Sequence, residues 1–183
     1  MKKFEERDMK EVVDVLNENG ESVNRVVTRK ESHELGLWHR VVVIAIIDNN
    51  GHVLMQQRSK FIESYPGKWD VSVAGHVSAG QSSKEAAIRE VSEELGITIK
   101  ENELNYIFTD KYIKKLKENY IINHIYDFYI VKRNNINVED IKMRDSEVEQ
   151  IKLCNSKDIC NLLSEEKVIK LDKVYEELMK YLK

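Results

Sequence analysis

The sequence predicts an α+β fold, layered as α/β/α, and the order and length of its elements carry that prediction. Segments with strand-like apolar patterns open the chain and fill its middle, whereas helical patterns are interspersed among them and close it. A length of 183 residues suits one domain that buries about 70% of its unfolded surface. We expect that domain to comprise an N-terminal hairpin and short helix (1–37), a core (38–155) and C-terminal helices (156–183).

The composition excludes several classes of protein. Hydrophobic residues make up 42% of the chain and 29 basic residues balance 32 acidic ones, so neither disorder nor attraction to nucleic acid or anionic membranes is expected. No apolar run approaches the roughly 20 residues that span a bilayer, and the N-terminus lacks the apolar stretch of a secretory signal. Cys154 and Cys160 are too few for a disulfide framework or their own zinc site, and we expect both to pack as inert thiols. These observations favour a cytoplasmic protein with no nucleic-acid or membrane partner, and they leave both a monomer and a homodimer open.

The N-terminal half is predicted to alternate strands with polar turns. Thr28, followed three residues later by Glu31, indicates a capping box for a short helix that ends near Gly36. The apolar run at 39–48 is rich in Val and Ile, which is typical of a buried strand. Strands are expected at 11–16, 22–28, 39–48, 52–57 and 70–74, the first two forming a hairpin.

The C-terminal half contains the longest predicted helix and a pair of long strands. Ser82 or Ser83 can cap a helix that runs to Leu95, and Gly96 supplies the glycine that commonly ends one. Further strands are expected at 106–116, 120–132 and 148–153, followed by two closing helices. The last helix carries an apolar stripe that we interpret as a core face: Val168, Leu171, Val174, Tyr175, Leu178 and Leu182.

Three acidic residues of the long helix are the first sign of chemistry. Glu90, Glu93 and Glu94 occupy positions i, i+3 and i+4, so their carboxylates emerge from one face, where they repel one another. Carboxylates and substrate phosphate oxygens are the ligands that Mg²⁺ prefers. Taken alone, the triplet would favour a solvated acidic face, which is common in a chain that is 33% charged.

The complete spacing around these acids resembles the Nudix box. The positions that match are Gly75, Arg89, Glu90, Val91, Glu93, Glu94, Gly96 and Ile97. Gln81 stands where the family has its first glutamate, and a glutamine keeps the shape and the carbonyl but not the charge. We expect Glu85 to offer Arg89, four residues later, an alternative ion pair. The resemblance implies a Nudix-type α/β/α sandwich with a mixed central sheet, bound Mg²⁺ or Mn²⁺, and pyrophosphohydrolase activity.

The resemblance also implies roles for the residues of the box. Glu90, Glu93 and Glu94, with the backbone carbonyl of Gly75, are expected to bind the metal, and the last two glutamates to be essential for catalysis. Arg89 is expected to orient Glu90 or Glu93 rather than to contact the substrate.

Charged residues outside the box complete the predicted site. Arg58, at the end of a strand, is the favoured clamp for a diphosphate, and Arg29 and Lys68 are weaker candidates. The general base is either a box glutamate or an acid on a downstream loop, where Glu147 is favoured over Glu149; either loop acid also suits an ordinary exposed position. The expected partner is a small molecule, a nucleoside diphosphate derivative or a related organic diphosphate.

A wider resemblance, over 28–97, is to the Nudix branch that includes type I isopentenyl-diphosphate isomerase. His33, His39 and His76 fall where that enzyme has metal-binding histidines, and here they either bind a metal or only orient the N-terminal segment through hydrogen bonds. Hydrolysis is favoured, with an isomerase-like protein or, because of Gln81, a catalytically weak diphosphate-binding module as alternatives. Other functional positions of the isomerase carry side chains that cannot serve its reaction: Ile62, Ala74, Ile121 and Asn123.

Overall fold

In the computed structural model, which describes residues 11–144 and 146–183, the first described segment is a hairpin followed by a short helix, as predicted. β1 (Val12–Leu16) and β2 (Ser22–Thr28) pair antiparallel, and α1 (Arg29–Glu34) follows directly. The helix begins where the Thr28 hydroxyl accepts a hydrogen bond from the Glu31 backbone N–H, which confirms the predicted cap. The hairpin has a small apolar core of its own, formed by Val13, Val15 and Val27.

A seven-stranded mixed sheet forms the centre of the molecule. Its strands are β3 (His39–Asp48), β4 (Val53–Arg58), β5 (Trp69–Asp70), β6 (Val73–His76), β7 (Asn105–Lys117), β8 (Tyr120–Arg133) and β9 (Val148–Cys154). Five of them lie in the order β5–β4–β3–β8–β7, while β6 pairs with β3 and β9 pairs with β4. The pairing of β3 with β8 is parallel and the others are antiparallel. Because β3 meets β4 at Ile47 and Val53, its first half is left to pair with β6.

Helices cover both faces of this sheet, which confirms the layered α+β arrangement. Side chains alternate along β3, so Val42, Ile44 and Ile46 pack with α2 (Ser83–Leu95), and the intervening residues pack on the opposite face. That opposite face is closed by α3 (Ser156–Ser164) and α4 (Asp172–Leu178). Two 3₁₀ turns, Glu101–Glu103 and Val138–Asp140, lie in connecting segments. Within the described ranges, every helix is too short or too polar to cross a membrane.

Two predicted elements differ from the structure. The segment predicted as one strand at 70–74 forms two short strands, β5 and β6, with Ser72 between them. The Ser72 hydroxyl accepts from the Ile46 backbone N–H at 2.7 Å and donates to the Leu54 carbonyl at 2.5 Å, so it takes the place of ladder hydrogen bonds. The last helix begins at Asp172, whereas the apolar stripe predicts a helix that includes Val168. That residue forms an isolated bridge with Trp69 instead.

The C-terminal helices also correct one expectation about the thiols. Cys154, at the end of β9, is buried as predicted. Cys160 is exposed, because Ile159 and Leu162 are the residues of α3 that face the core. The apolar stripe of the last segment does pack into the core, as predicted, although Leu182 is only partly buried.

Candidate active site and histidine cluster

Most of the residues predicted to act lie around one cavity of about 450 Å³. Its wall includes six charged or metal-binding candidates: Arg29, Arg58, Gly75, Glu90, Glu94 and Glu147. A second part of the wall holds the histidines His33, His76 and His124. Much of the remainder is apolar or aromatic, including Val41, Val43, Tyr65, Tyr112, Ile122 and Tyr126. One small molecule in this cavity would meet both charged groups and an apolar surface.

Local sequence fixes the two ends of the box helix α2. At its start, the Ser82 hydroxyl accepts from the Glu85 backbone N–H, and the Glu85 carboxylate accepts from the Ser82 backbone N–H and hydroxyl. At its end, Gly96 adopts a left-handed φ of 64°, as expected for a helix stop. The expected ion pair between Glu85 and Arg89 is wrong, because the capping box uses the Glu85 carboxylate.

Glu90 lies directly against Gly75. The glutamate is 2% exposed, and a Cβ atom added to Gly75 would lie 2.2 Å from Glu90 Cδ, so a glycine is required here. Because β6 ends beside α2, the box glycine and the first box acid come together although 15 positions separate them in the sequence. The contact brings the Gly75 backbone and the Glu90 carboxylate to one point of the cavity wall.

Glu94 is the second buried acid of the box. It is 4% exposed, and its Oε2 atom accepts a hydrogen bond of 2.9 Å from Gln56 Nε2 on β4. Burial raises the pKa of Glu94 well above its ordinary value, and the negative charges of Glu90 and Glu147 raise it further. A cation among these acids would remove that penalty, so the electrostatics of the site favour a positive ligand.

Arg89 connects the box acids to the strand that precedes them. Its Nη1 atom lies 2.6 Å from Glu90 Oε1, and its Nη2 atom donates to the His76 carbonyl at 2.8 Å. Its Nε and Nη2 atoms also donate to Gln81 Oε1, at 3.4 and 3.3 Å. Gln81 therefore contacts Arg89 through its amide carbonyl without adding a charge. This geometry suits an orienting role for Arg89.

Glu93 has different surroundings from the two buried acids. Its Oε2 atom lies 3.4 Å from Arg144 Nη1 and 3.6 Å from Arg89 Nη1, and its side chain is 31% exposed. Arg144 also contacts Glu147 Oε1 at 3.0 Å, so it joins the loop acid to the box helix. Sequence reasoning missed Arg144, because a single arginine in a charged loop carries no spacing signal.

The three basic residues predicted to bind substrate have different locations. Arg58 and Arg29 line the cavity, where Arg58 pairs with Asp70 at 3.8 Å and Arg29 pairs with Glu11 at 3.3 Å. Arg58 Nε and Nη2 also donate to the carbonyl and hydroxyl oxygens of one residue, Ser64, at 3.1 and 3.0 Å. Lys68 instead donates to the backbone carbonyl of residue 166.

Four histidines form a cluster beside the box. His39 on β3 is directly opposite His124 on β8, and His76 on β6 is opposite Val41, which follows His39 on the same face of β3. His33 on α1 completes the group. All six ring-to-ring distances lie between 4.7 and 5.5 Å, and one nitrogen from each ring lies within 4.8 Å of the others.

The hydrogen bonds of this cluster leave the Nε2 atom of each ring without a partner in the described parts of the chain. His33 Nδ1 lies 3.2 Å from the Ile121 carbonyl and His39 Nδ1 lies 2.9 Å from the Leu37 carbonyl, so each Nδ1 carries the proton. The four Nε2 atoms are buried and have no hydrogen-bond partner within the described parts of the chain. His124 was missed from the sequence, because it is a lone histidine in a strand and only the parallel register with β3 brings it to the others.

Comparison with known proteins decides the family. A family model described as the NUDIX domain matches residues 37–178. The chain belongs to the Nudix family. This confirms the expected enzyme class, a Nudix-type pyrophosphohydrolase. The other Nudix proteins that it resembles agree with this assignment.

Two Nudix relatives and one solved structure illustrate the range of similarity. An uncharacterized Nudix hydrolase of Listeria innocua, lin0387, is 33% identical over 139 residues, which is 76% of each chain. Nudix hydrolase 3 of Arabidopsis thaliana is 34% identical over 158 residues, 84% of this chain but 20% of the plant protein. The crystal structure of DR0079 from Deinococcus radiodurans has a TM-score of 0.68 at 20% identity and covers 94% of this chain and 100% of its own. At that identity the likeness shows the fold, and it confirms the Nudix-type sandwich.

Proposed function

We propose that this Nudix protein catalyses the Mg²⁺-dependent hydrolysis of a diphosphate linkage in a nucleoside diphosphate derivative or a related organic diphosphate. The observation that carries the proposal is the pair of buried acids, Glu90 and Glu94, in the wall of a cavity that also presents Arg58. Mn²⁺, which shares the preference for oxygen ligands, is the alternative ion.

The donor set fits a hard divalent cation. Glu90, Glu93 and Glu94, with the Gly75 carbonyl, would hold it, and Glu93 also contacts the guanidinium groups of Arg89 and Arg144. The raised pKa of Glu94 reflects the cost of ionising buried like charges without a counter-charge. When bound, the ion neutralises the diphosphate and lowers the pKa of a water molecule.

Arg58 is our candidate for binding and orienting the diphosphate. Its guanidinium lines the cavity and is held by two oxygens of Ser64, which fixes the planar fork that a phosphate recognises. Arg29 adds a second positive charge to the same wall. Lys68 is a weaker candidate, because its ammonium group already donates to a backbone carbonyl.

Glu147 is our candidate for the general base. Its carboxylate faces the cavity and is oriented by Arg144 at 3.0 Å. In this role it accepts a proton from the attacking water as the new P–O bond forms. The bond between that phosphorus and the bridging oxygen breaks, and the leaving phosphate takes the electron pair.

The apolar part of the wall supports an organic group on the diphosphate. Tyr65 and Tyr112, whose hydroxyl groups lie 2.6 Å apart, and Tyr126 offer ring surface beside the aliphatic side chains. Such a surface suits either a nucleobase or a hydrocarbon chain. We also propose a cytoplasmic location, since the exposed Cys160 thiol suits a reducing compartment.

An isomerase-like activity is the second candidate, and the histidine cluster is the observation that favours it. Ala74 in the cavity wall counts against it, because an alanine offers no group that exchanges a proton with substrate. A diphosphate-binding module without turnover is the third reading, since Gln81 lacks the charge of the box glutamate.

A substrate screen tests these alternatives together. The purified chain is incubated with nucleoside diphosphates, nucleotide sugars, dinucleotides and isopentenyl diphosphate, each with MgCl₂, MnCl₂ or EDTA. We expect phosphate or monophosphate products from at least one substrate, only with a divalent ion, and none from the Glu94→Gln variant. Conversion of isopentenyl to dimethylallyl diphosphate would instead support the isomerase, and tight substrate binding without any product would support the binding module.

A further inference from the structure

We propose that His33, His39, His76 and His124 bind one divalent transition-metal ion, with Zn²⁺ as the best fit, through their four Nε2 atoms. This ion would be separate from the one expected at the box carboxylates. It would hold the N-terminal segment on the sheet, because the four ligands come from α1, β3, β6 and β8.

The first argument is the position of the four lone pairs. One ring nitrogen from each histidine lies within 4.8 Å of the others, and a tetrahedral Zn–N site has ligand spacings of about 3.4 Å. Inward shifts of less than about 1 Å per ring would therefore close the site. The donor set consists of imidazoles without a carboxylate, and imidazole suits borderline transition metals, whereas Mg²⁺ prefers oxygen.

The second argument is the tautomer. Carbonyl oxygens only accept hydrogen bonds, so those of Ile121 and Leu37 fix the protons of His33 and His39 on Nδ1. Backbone carbonyls commonly orient metal-binding histidines in this way, and they direct the Nε2 lone pair to the ion. In the described residues none of the four buried Nε2 atoms has a hydrogen-bond partner, so four unpaired ring nitrogens lie together in the interior.

The third argument is the burial of the rings, which favours the neutral imidazole over the protonated one. Burial, with a smaller contribution from the charge of Arg29, lowers the pKa of His33 to about 3 and that of His39 to about 4. Burial and the neighbouring positive charges also hold the pKa values of His76 and His124 well below the ordinary value. Burial thus favours the neutral form of the imidazole, which is the form that binds a metal.

Four protein ligands complete a tetrahedron, which is typical of structural rather than catalytic zinc. The ion would join α1 to three strands that are neighbours in the sheet but distant in the chain. Since an ion that binds only the folded state stabilises it, zinc should raise the midpoint of thermal unfolding.

Metal titration of the chelator-treated protein tests this proposal. In excess MgCl₂, we expect the wild type to bind one equivalent of ZnCl₂ and to unfold several degrees higher with it. CoCl₂ should give the visible absorption of tetrahedral Co²⁺. His39→Gln and His124→Gln should bind at least 100-fold more weakly. The fifth histidine provides a matched control: His52 contacts Asp48 outside the cluster, and His52→Gln should bind like the wild type.

Two further measurements keep the test decisive. Where a cluster variant does not fold, X-ray absorption of the zinc-loaded wild type should show four nitrogen ligands at 2.0–2.1 Å. Glu94→Gln should keep its zinc, which separates this proposal from the proposed hydrolysis. Failure of the wild type to retain zinc, cobalt, nickel or iron, retention by His124→Gln equal to the wild type, or sulfur ligands in the absorption spectrum would each overturn the assignment.

Discussion

The two groups of candidate ligands beside the cavity, the box carboxylates and the histidine cluster, differ in how their polar atoms are already used. On the carboxylate side, Glu90 contacts Arg89, Glu93 contacts Arg144, and Glu94 accepts from Gln56. On the histidine side, the four Nε2 atoms have no hydrogen-bond partner among the described residues. The first group suits an ion that arrives with the substrate and leaves with the product. The second suits an ion that stays, so single substitutions should separate the two.

The largest effect is expected for Glu94→Gln. The amide keeps the size of the side chain but removes one of the two buried charges, so Mg²⁺-dependent turnover should fall by at least about 10³-fold. Product release on the best substrate of the screen measures it. Glu93→Gln makes the same chemical change one position earlier. Because the negative charge of Glu93 is paired with the positive charges of Arg89 and Arg144, the loss of turnover in this variant should be smaller. Equal losses in both variants would show that the buried and the half-exposed acid act alike.

Gly75→Ala tests the close approach of the strand to the box helix. The added methyl group would overlap Glu90 Cδ, so the acid must move away, and both turnover and about 3 kcal/mol of stability should be lost. Gly67→Ala is the control, since its Cβ would meet nothing within 4 Å although its φ of 72° is strained. That variant should lose about 1 kcal/mol and remain active. Chemical denaturation and turnover measured together decide between overlap and backbone strain.

A buried acid outside both groups provides a reference for the cost of burial. Burial raises the pKa of Asp70 to about 6, although the charge of Arg58 opposes the shift. The folded state thus keeps a proton that the unfolded chain loses from about pH 4, and stability falls as the pH rises from 4 to 6. A shift of about two pKa units corresponds to at most about 3 kcal/mol.

Asp70→Asn should remove this slope. The difference in free energy of unfolding between variant and wild type should move in favour of the variant from pH 4 to pH 6, and then remain constant. Urea denaturation at several pH values measures it. A difference that does not change with pH would mean that Asp70 is ionised throughout that range in the folded protein.

The smallest effect is expected for Gln81→Glu. The glutamine carbonyl already accepts from Arg89 at 3.3 and 3.4 Å, so a carboxylate would strengthen an existing contact. Turnover should change by less than about tenfold, about 1.4 kcal/mol. A rise of several orders of magnitude would identify Gln81 as a disabling substitution and would favour the binding-module reading.

What the sequence predicted correctly is mostly local. The capped helix from Ser83 to Leu95 and the buried strand from His39 to Asp48 follow from residues close together in the chain. The family's box is equally local, because its acids lie on one helix. The two errors in secondary structure come from contacts between distant residues: Ser72 interrupts a strand by bonding to two others, and Val168 leaves the helical pattern to pair with Trp69.

The histidine cluster shows the same limit within the site. His33, His39 and His76 were found by resemblance, but no spacing connects them to His124, which joins them through the pairing of β3 with β8. Arg144 and Gln56 were missed for a similar reason, since each contacts the box only after the loop and β4 have packed beside it. Side chains that act through tertiary contacts cannot be found from periodicity in one sequence.

The most direct test of the central claim is anomalous diffraction from crystals soaked with MnCl₂ and a non-hydrolysable diphosphate analogue, after the histidine cluster has been loaded with zinc. We predict manganese within about 2.0–2.3 Å of carboxylate oxygens from Glu90 and Glu94, with the diphosphate next to it and Arg58 on the phosphate oxygens. Manganese found away from both acids, or a diphosphate bound elsewhere while these acids keep only their protein partners, would contradict the account.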